Sequence, residues 1–193
     1  KSKYLDKIIL STDDDEISSV GLNYNIDVPF KRPKYLSEDN ASTIDVIFHT
    51  LKYLKSNNMK YDCIVLLQPT SPLRDEKDID LSIEYFMNKN AHSIISVSKL
   101  KHPIEWAKKL PKDLSMTNFF YKNKKIKRSQ DYEPHYLING AIYIVRTIKF
   151  IKERQIFFPS KCFAYKMSEQ KSIDIDDEFD FNLAKFFLKN LKK

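Results

Sequence analysis

One apolar run, followed at once by a stiff polar loop, constrains this chain more than any other feature. Cys63-Ile64-Val65-Leu66-Leu67 shows no alternation of polar and apolar residues, the mark of a strand buried on both faces. Gln68-Pro69-Thr70-Ser71-Pro72-Leu73-Arg74 follows directly. A strand of that kind needs helices on both sides of its sheet, and the flanking sequence offers them. Upstream, Ile44, Ile47, Phe48, Leu51 and Leu54 recur at helical spacing behind Ser42, and the helix is expected to reach about Asn57. Ser42 and Asp45 fit a variant capping box. Downstream, a helix is expected from about Asp75 to Asn88, then a buried strand over Ser93 to Val97.

The pattern extends both ways. Lys7 to Leu10 reads as a short buried strand, Ser11 to Glu16 as an acidic helix start, with the helix running to about Tyr24. Ile26 to Phe30 is a second short extended piece before Lys31-Arg32-Pro33. Strand and helix thus alternate through the first hundred residues, which argues for an α/β fold with an open, mainly parallel sheet. Ligands in such sheets bind beyond the carboxyl ends of the strands, here the segments after Leu10, Phe30, Leu67 and Val97. Lys99 to Tyr136 lacks periodicity and reads as an excursion from the sheet. Ile138 to Val145 and Cys162 to Lys166 are expected strands, with a short helix over Thr147 to Lys152. A last helix is expected to turn Phe179, Leu183, Phe186, Phe187 and Leu191 inward.

Composition narrows the class. With 193 residues and 42% hydrophobic, the chain is expected to form a single domain over 1–193. No apolar run approaches the ~20 residues of a spanning helix, and no signal-peptide pattern opens the chain. Two cysteines, Cys63 and Cys162, give no disulfide framework, so a reducing cytoplasm is expected. The net charge of +7 permits a polyanionic partner without choosing one. The densest cluster, Lys122, Lys124, Lys125, Lys127 and Arg128, reads equally as a solvated loop. Only Gly21 and Gly140 occur, so no glycine-rich phosphate loop is present. The chain opens on Lys1-Ser2-Lys3, directly before an apolar strand, and an upstream segment is expected.

Three segments could carry chemistry. In an extended Asp174-Ile175-Asp176 the two carboxylates share one face about 6–7 Å apart, and could hold Mg²⁺ through oxygen. The same acids would equally suit a helix start, with Asp176 or Asp177 as N-cap. Gln68 to Arg74 lies in the expected crevice, its prolines fixing Gln68, Thr70, Ser71 and Arg74. It would equally serve as a turn with Ser71 as N-cap and Pro72 at the first helical position. Arg32-Pro33 with Asp39-Asn40-Ala41-Ser42-Thr43 sets a basic residue near a helix start, suited to a phosphate or nucleoside, or to an ordinary cap. His49, His92, His102 and His135 show no metal spacing and no triad pattern.

Taken together, STDDDEI, PFKRP, SEDNASTIDVI, IVLLQPTSPLR, SIISV, NGAIYI and SIDIDDEFDF resemble the acylneuraminate cytidylyltransferases, or CMP-sialic acid synthetases, with relatives that activate legionaminic and pseudaminic acids. The segments keep the family's order from about Lys7 to Phe187. The resemblance implies a Rossmann-like, three-layer nucleotidyltransferase fold with a dimerisation arm, here Lys99 to Tyr136, and a homodimer. It implies that the anomeric hydroxyl of a nine-carbon acidic sugar attacks the α-phosphate of CTP, releasing pyrophosphate. Mg²⁺, or Mn²⁺ in its place, would neutralise charge while the protein positions the reactants.

Residue by residue, the resemblance puts Asp174 and Asp176 on the metal aspartates, with Asp176 bridging substrate and phosphate. It puts Gln68 on a glutamine that contacts the acid sugar, and Arg32, Ala41 and Thr43 on cytidine-binding positions, Thr43 standing where Ser is frequent. Tyr143, Phe157 and Phe158 fall on residues that shape the sugar pocket, packing on its acyl group and tail, with core packing as the alternative for the two phenylalanines. Arg128 matches an arm residue that reaches the partner's site. The family's Gly-, Arg-, Ser- and Lys-rich triphosphate loop has no counterpart here, and its expected place precedes Lys1. The chain by itself is therefore expected to be inactive. Other readings are a 3-deoxy-manno-octulosonate-type nucleotidyltransferase, against which the pairing of SIDID with NGAIYI stands, and a non-catalytic nucleotide- or sugar-binding module. A nucleic-acid binder ranks last, because the aromatics sit in apolar runs and not among basic residues.

Overall fold

The computed structural model describes residues 2–117, 119 and 127–190. Lys1, Phe120, Lys122, Lys124, Lys125 and Leu191, all named above, lie outside the described residues. The helices are α1 (Asp15–Asn23), α2 (Thr43–Ser56), α3 (Glu76–Asn88), α4 (Thr147–Glu153) and α5 (Glu178–Asn190). The strands are β1 (Cys63–Leu66), β2 (Ser93–Lys99), β3 (Tyr136–Arg146) and β4 (Cys162–Met167), hydrogen-bonded in the order β1-β3-β2-β4. The alternation read from the sequence is thus an α/β arrangement. β1 pairs antiparallel with β3, with Cys63 opposite Arg146 and Leu66 opposite Tyr143.

The chain divides into two compact units. The first comprises Lys1–Leu66, Glu76–Ile94 and Tyr143–Phe163. Its core holds Ile47, Leu54, Ile83, Phe86, Ile94, Ile144, Val145 and Phe150. Local chemistry sets its helices: Asp14 caps α1 by accepting from the Ile17 N–H at 2.8 Å, and Ser42 caps α2 by accepting from the Ile44 N–H at 3.1 Å. A Cβ at Gly21 would sit 2.5 Å from Leu10 Cδ2, so the tip of that leucine packs directly over the glycine. The second unit comprises Leu67–Asp75, Ile95–Ile142 and Ala164–Lys193, and buries Leu73, Ile95, Val97, Ala141, Ile142, Met167 and Ala184.

Four expectations change. Lys7 to Leu10 is not a buried strand: its ladder is reduced to the parallel bridges Ile9–Asp27 and Thr12–Lys31, and Ile8 is half exposed. β1 is half-buried and not buried on both faces, because it stands at the end of the described strand order and only β3 flanks it. Asp45 does not close a capping box; its carboxylate accepts from Arg154 Nη2 at 2.8 Å instead. In α5 only Ala184 is buried, while Phe179 and Phe186 are 74% and 60% exposed. The wide apolar spacing of that helix overstates its buried face.

The first unit's core gives a direct test. Phe150 is fully buried and its ring centroid lies 5.2 Å from that of Phe48. Phe150→Ala is expected to cost about 3–5 kcal/mol of stability, read from the urea midpoint at unchanged slope.

Candidate active site

The second unit brings the polar loop and the acidic segment together. The loop organises itself first. Arg74 Nη1 donates to the carbonyls of Gln68 at 2.6 Å and of Ser71 at 2.7 Å. Burial draws the Arg74 pKa below the usual guanidinium value, but a guanidinium so placed keeps its charge. Its donors point into the loop, so Arg74 acts as a brace. Ser71 is not an N-cap: it is fully buried, its Oγ donates to the Asn139 carbonyl at 3.4 Å, and α3 starts only at Glu76.

Asn139, buried in β3, is the hub of the next layer. Its Oδ1 accepts from Ser96 Oγ at 2.6 Å and from the Ala141 N–H at 3.2 Å. Its Nδ2 donates to Ser172 Oγ at 2.8 Å. Ser96 Oγ in turn accepts from the Ile142 N–H at 2.8 Å, and Ser172 Oγ donates to the Ser168 carbonyl at 2.7 Å. One amide therefore ties β2, β3, the loop and the turn Glu169–Ser172. Two further bonds clamp the acidic segment to the loop. The Ile175 N–H donates to the Thr70 carbonyl at 2.8 Å, and Lys171 Nζ meets Asp75 Oδ2 at 2.7 Å.

These constraints meet at Gly140, whose φ of +72° favours a residue without a Cβ. A Cβ there would run into Gln68 Oε1 and lie 3.5 Å from Asp174 Oδ2. The glycine thus makes room for a side-chain amide and a carboxylate on the same spot. Asp174 Oδ1 is buried and has no hydrogen-bond partner among the described residues, which leaves an acceptor open to a cation or donor. Asp176 is exposed, two residues before α5, and its N–H donates to Asp180 Oδ2 at 3.3 Å. Among the described residues no group of three or more His, Cys, Asp or Glu is placed to hold a metal. Carboxylate oxygens are the donors Mg²⁺ takes, with waters or phosphates completing its shell, and the buried Asp174 Oδ1 is a donor of that kind.

Each of the other expected site residues has its own local surroundings. Tyr143 and Phe157, in the first unit, face one another edge-on with centroids 6.5 Å apart, and Phe157 is 53% exposed. Phe158 is buried against His92, with centroids 5.8 Å apart. Arg32 turns onto Ser11, its Nε donating to Oγ at 3.1 Å and its Nη2 to the carbonyl. Ala41 and Thr43 stand at the start of α2, either side of the cap Ser42. Arg128 pairs with Asp131 at 3.2 Å on an exposed surface. The reading of residue types overlooked Ser96, Asn139, Gly140 and Ser172. The Asn-Gly step inside an otherwise apolar strand was the signal that could have found them, since it interrupts a strand that needs neither residue.

Comparison with known proteins agrees with this arrangement. Residues 1–186 match the family described as Cytidylyltransferase. The chain is 31% identical over 188 residues to the pseudaminic acid cytidylyltransferase of Campylobacter jejuni, covering 97% of this chain and 80% of that protein. It is 30% identical over 185 residues to the N-acylneuraminate cytidylyltransferase of Escherichia coli, covering 95% of this chain but only 42% of that protein. In fold it is similar to the CMP:2-keto-3-deoxy-manno-octonic acid synthetase solved with CTP, with a TM-score of 0.63, 10% identity, and coverage of 98% and 84%. That likeness extends the nucleotidyltransferase architecture over nearly the whole chain, and with the family match it means that this chain belongs to the cytidylyltransferase family.

Proposed function

We propose that this cytidylyltransferase joins CMP from CTP to an N-acylated, acidic nine-carbon sugar of the nonulosonic class, such as a pseudaminic, sialic or legionaminic acid. The observation that carries the reading is the convergence at Gly140 of Gln68 Oε1 and Asp174 Oδ2 in one unit, with the other Asp174 oxygen, Oδ1, buried and unpartnered among the described residues. The names of the relatives at about 30% identity, pseudaminic acid and N-acylneuraminate cytidylyltransferase, supply the substrate class.

In the proposed reaction the anomeric hydroxyl oxygen forms a bond to the α-phosphorus of CTP. The bond from that phosphorus to the bridging oxygen breaks, pyrophosphate leaves, and the hydroxyl gives up its proton. Mg²⁺, when bound, would neutralise phosphate charge and make that hydroxyl easier to deprotonate. Asp174 and Asp176 supply the oxygens that hold the ion, with Mn²⁺ as an alternative occupant. Gln68 orients the acid sugar, its backbone held by Arg74 and its amide given room by Gly140. Arg32, Ala41 and Thr43 serve the cytidine, and Tyr143 and Phe157 form an aromatic wall for the sugar. Because CTP is a cytoplasmic nucleotide, we place the reaction in the cytoplasm.

A homodimer belongs to the same proposal. The excursion leaves and rejoins the sheet at one point, where the Leu100 N–H donates to the His135 carbonyl at 2.9 Å. Along it Ile104, Leu110 and Leu114 are 51%, 48% and 70% exposed, so it buries little of its own apolar surface. A second copy would cover these residues and bring Arg128 to its partner's site.

Three measurements test the proposal on the protein with its full natural chain. Turnover of CTP with a panel of nonulosonic acids is expected only with a divalent metal, and Asp176→Asn is expected to lower it by about two orders of magnitude or more with the fold intact by circular dichroism. Near-normal turnover in that variant would sink the metal assignment. Gln68→Ala is expected to raise the KM for the sugar about tenfold, the loss of one polar contact, and to leave CTP binding by calorimetry unchanged. Equal damage to CTP binding would assign Gln68 to the nucleotide. Sedimentation equilibrium at micromolar protein is expected to give twice the chain mass, and a strictly monomeric mass would remove Arg128 from the site.

A further inference from the structure

The side chains that meet at Gly140 come from two segments of the second unit, Gln68 from residues 68–75 and Asp174 from residues 171–176. These segments are distant in the chain and are tied to each other at two points. The first is the main-chain bond from the Ile175 N–H to the Thr70 carbonyl at 2.8 Å. A single hydrogen bond leaves two segments free to turn about it. The second is the ion pair of Lys171 Nζ with Asp75 Oδ2 at 2.7 Å, four residues before Ile175 on one segment and five after Thr70 on the other. Two ties so far apart along both segments fix their relative direction. Asn139 holds Ser172 to β3; the ion pair holds the neighbouring residue to the loop instead.

Charge gives the pair its meaning. Asp174, Asp176, Asp177, Glu178 and Asp180 follow Lys171 within nine residues. A carboxylate at the end of the loop repels such a segment, and Lys171 turns that repulsion into attraction where the two meet. The two side chains are 25% and 40% exposed, so water screens the pair only in part. An ion pair of this exposure adds little to the stability of the whole fold. Its consequence is local, in where the Asp174 carboxylate stands against Gln68.

We propose that Lys171 and Asp75 are positioning residues for the metal site, their ion pair holding the Asp174 carboxylate where it takes Mg²⁺. The assignment rests on the functional reading above, in which Asp174 holds the ion.

Mn²⁺ alone, added to the protein with its full natural chain, is the probe, because the paramagnetic resonance signal of the free ion is lost on binding. The parent is expected to bind it, and Asp174→Asn to abolish that binding. Lys171→Met keeps the length of the side chain and removes its charge. It is expected to raise the Mn²⁺ dissociation constant about tenfold and to raise the Mg²⁺ midpoint of turnover by the same factor. The melting temperature and CTP binding by calorimetry are expected to stay unchanged, as a general loosening of the fold would not leave them. Lys171→Asp combined with Asp75→Lys reverses the pair and is expected to recover most of the affinity, as is Lys171→Arg, which keeps the charge. Parent-like metal affinity and midpoint in Lys171→Met would overturn the role and leave the functional reading standing. So would equal losses of metal and CTP binding, or failure of both the reversed pair and Lys171→Arg to recover affinity. Metal-independent turnover by the parent would remove the metal assignment itself, and this role with it.

Discussion

The candidate site depends on one buried amide. Asn139 spends both ends of its side chain on fixed partners, Ser96 and the Ala141 N–H on one end and Ser172 on the other. Its main-chain carbonyl takes a further bond from Ser71. In a low-dielectric interior each of these bonds is strong, and each would be costly to leave unmade, so the network holds as a unit or not at all. The residue after it is Gly140, and the hub therefore fixes where the one residue without a side chain must fall. Displacing Gly140 by one position in β3 would put a Cβ against Gln68 Oε1 and close the place where Gln68 meets Asp174.

The loop and the acidic segment were legible because each announces itself in residue types. Two prolines in seven residues after an apolar run, and an Asp-Ile-Asp alternation, are local patterns with local consequences. The Ile175 N–H, between the two aspartates, donates to the Thr70 carbonyl. What local patterns could not give is which partner each polar group takes. Ser71 reads as a cap because Pro72 follows it, but the fold buries it under Asn139 and starts α3 five residues later. Arg74 reads as a residue fixed in the ligand crevice, but two carbonyls of its own loop take its Nη1. Asp45 sits at a capping-box position, but an arginine 109 residues away captures it. In each case a long-range partner outcompeted the nearby one, and a sequence read in windows holds no information about it.

Burial was misjudged for a related reason. Apolar spacing identifies which face of an element is apolar but not whether a neighbour covers it. Both β1 and α5 carry enough hydrophobic residues for full burial. β1 has a single flanking strand among those described, and α5 keeps Phe179, Phe181 and Phe186 more than half exposed. By contrast β2 lies between β3 and β4, and its first six residues are all buried, Ser93, Ser96 and Ser98 among them. The difference lies in strand order, which is a property of the whole sheet.

The net charge of +7 gains a more specific meaning from these assignments. Two cations of the second unit are already engaged, Arg74 by carbonyls and Lys171 by Asp75, and in the first unit Arg32 is engaged by Ser11. Such engaged cations brace loops more than they attract a ligand. Asp174, by contrast, keeps a buried oxygen without a partner, at the end of a segment held in three places. A rigid carboxylate with spare acceptor capacity attracts a hard cation, and a cation there reverses the sign of the site toward a phosphate. In the proposed reading, the acidic segment thereby presents positive potential to a nucleotide. The rigidity supplied by Asn139 and Arg74 allows that potential to act at a fixed point, which is what positioning two anionic substrates for an in-line displacement requires.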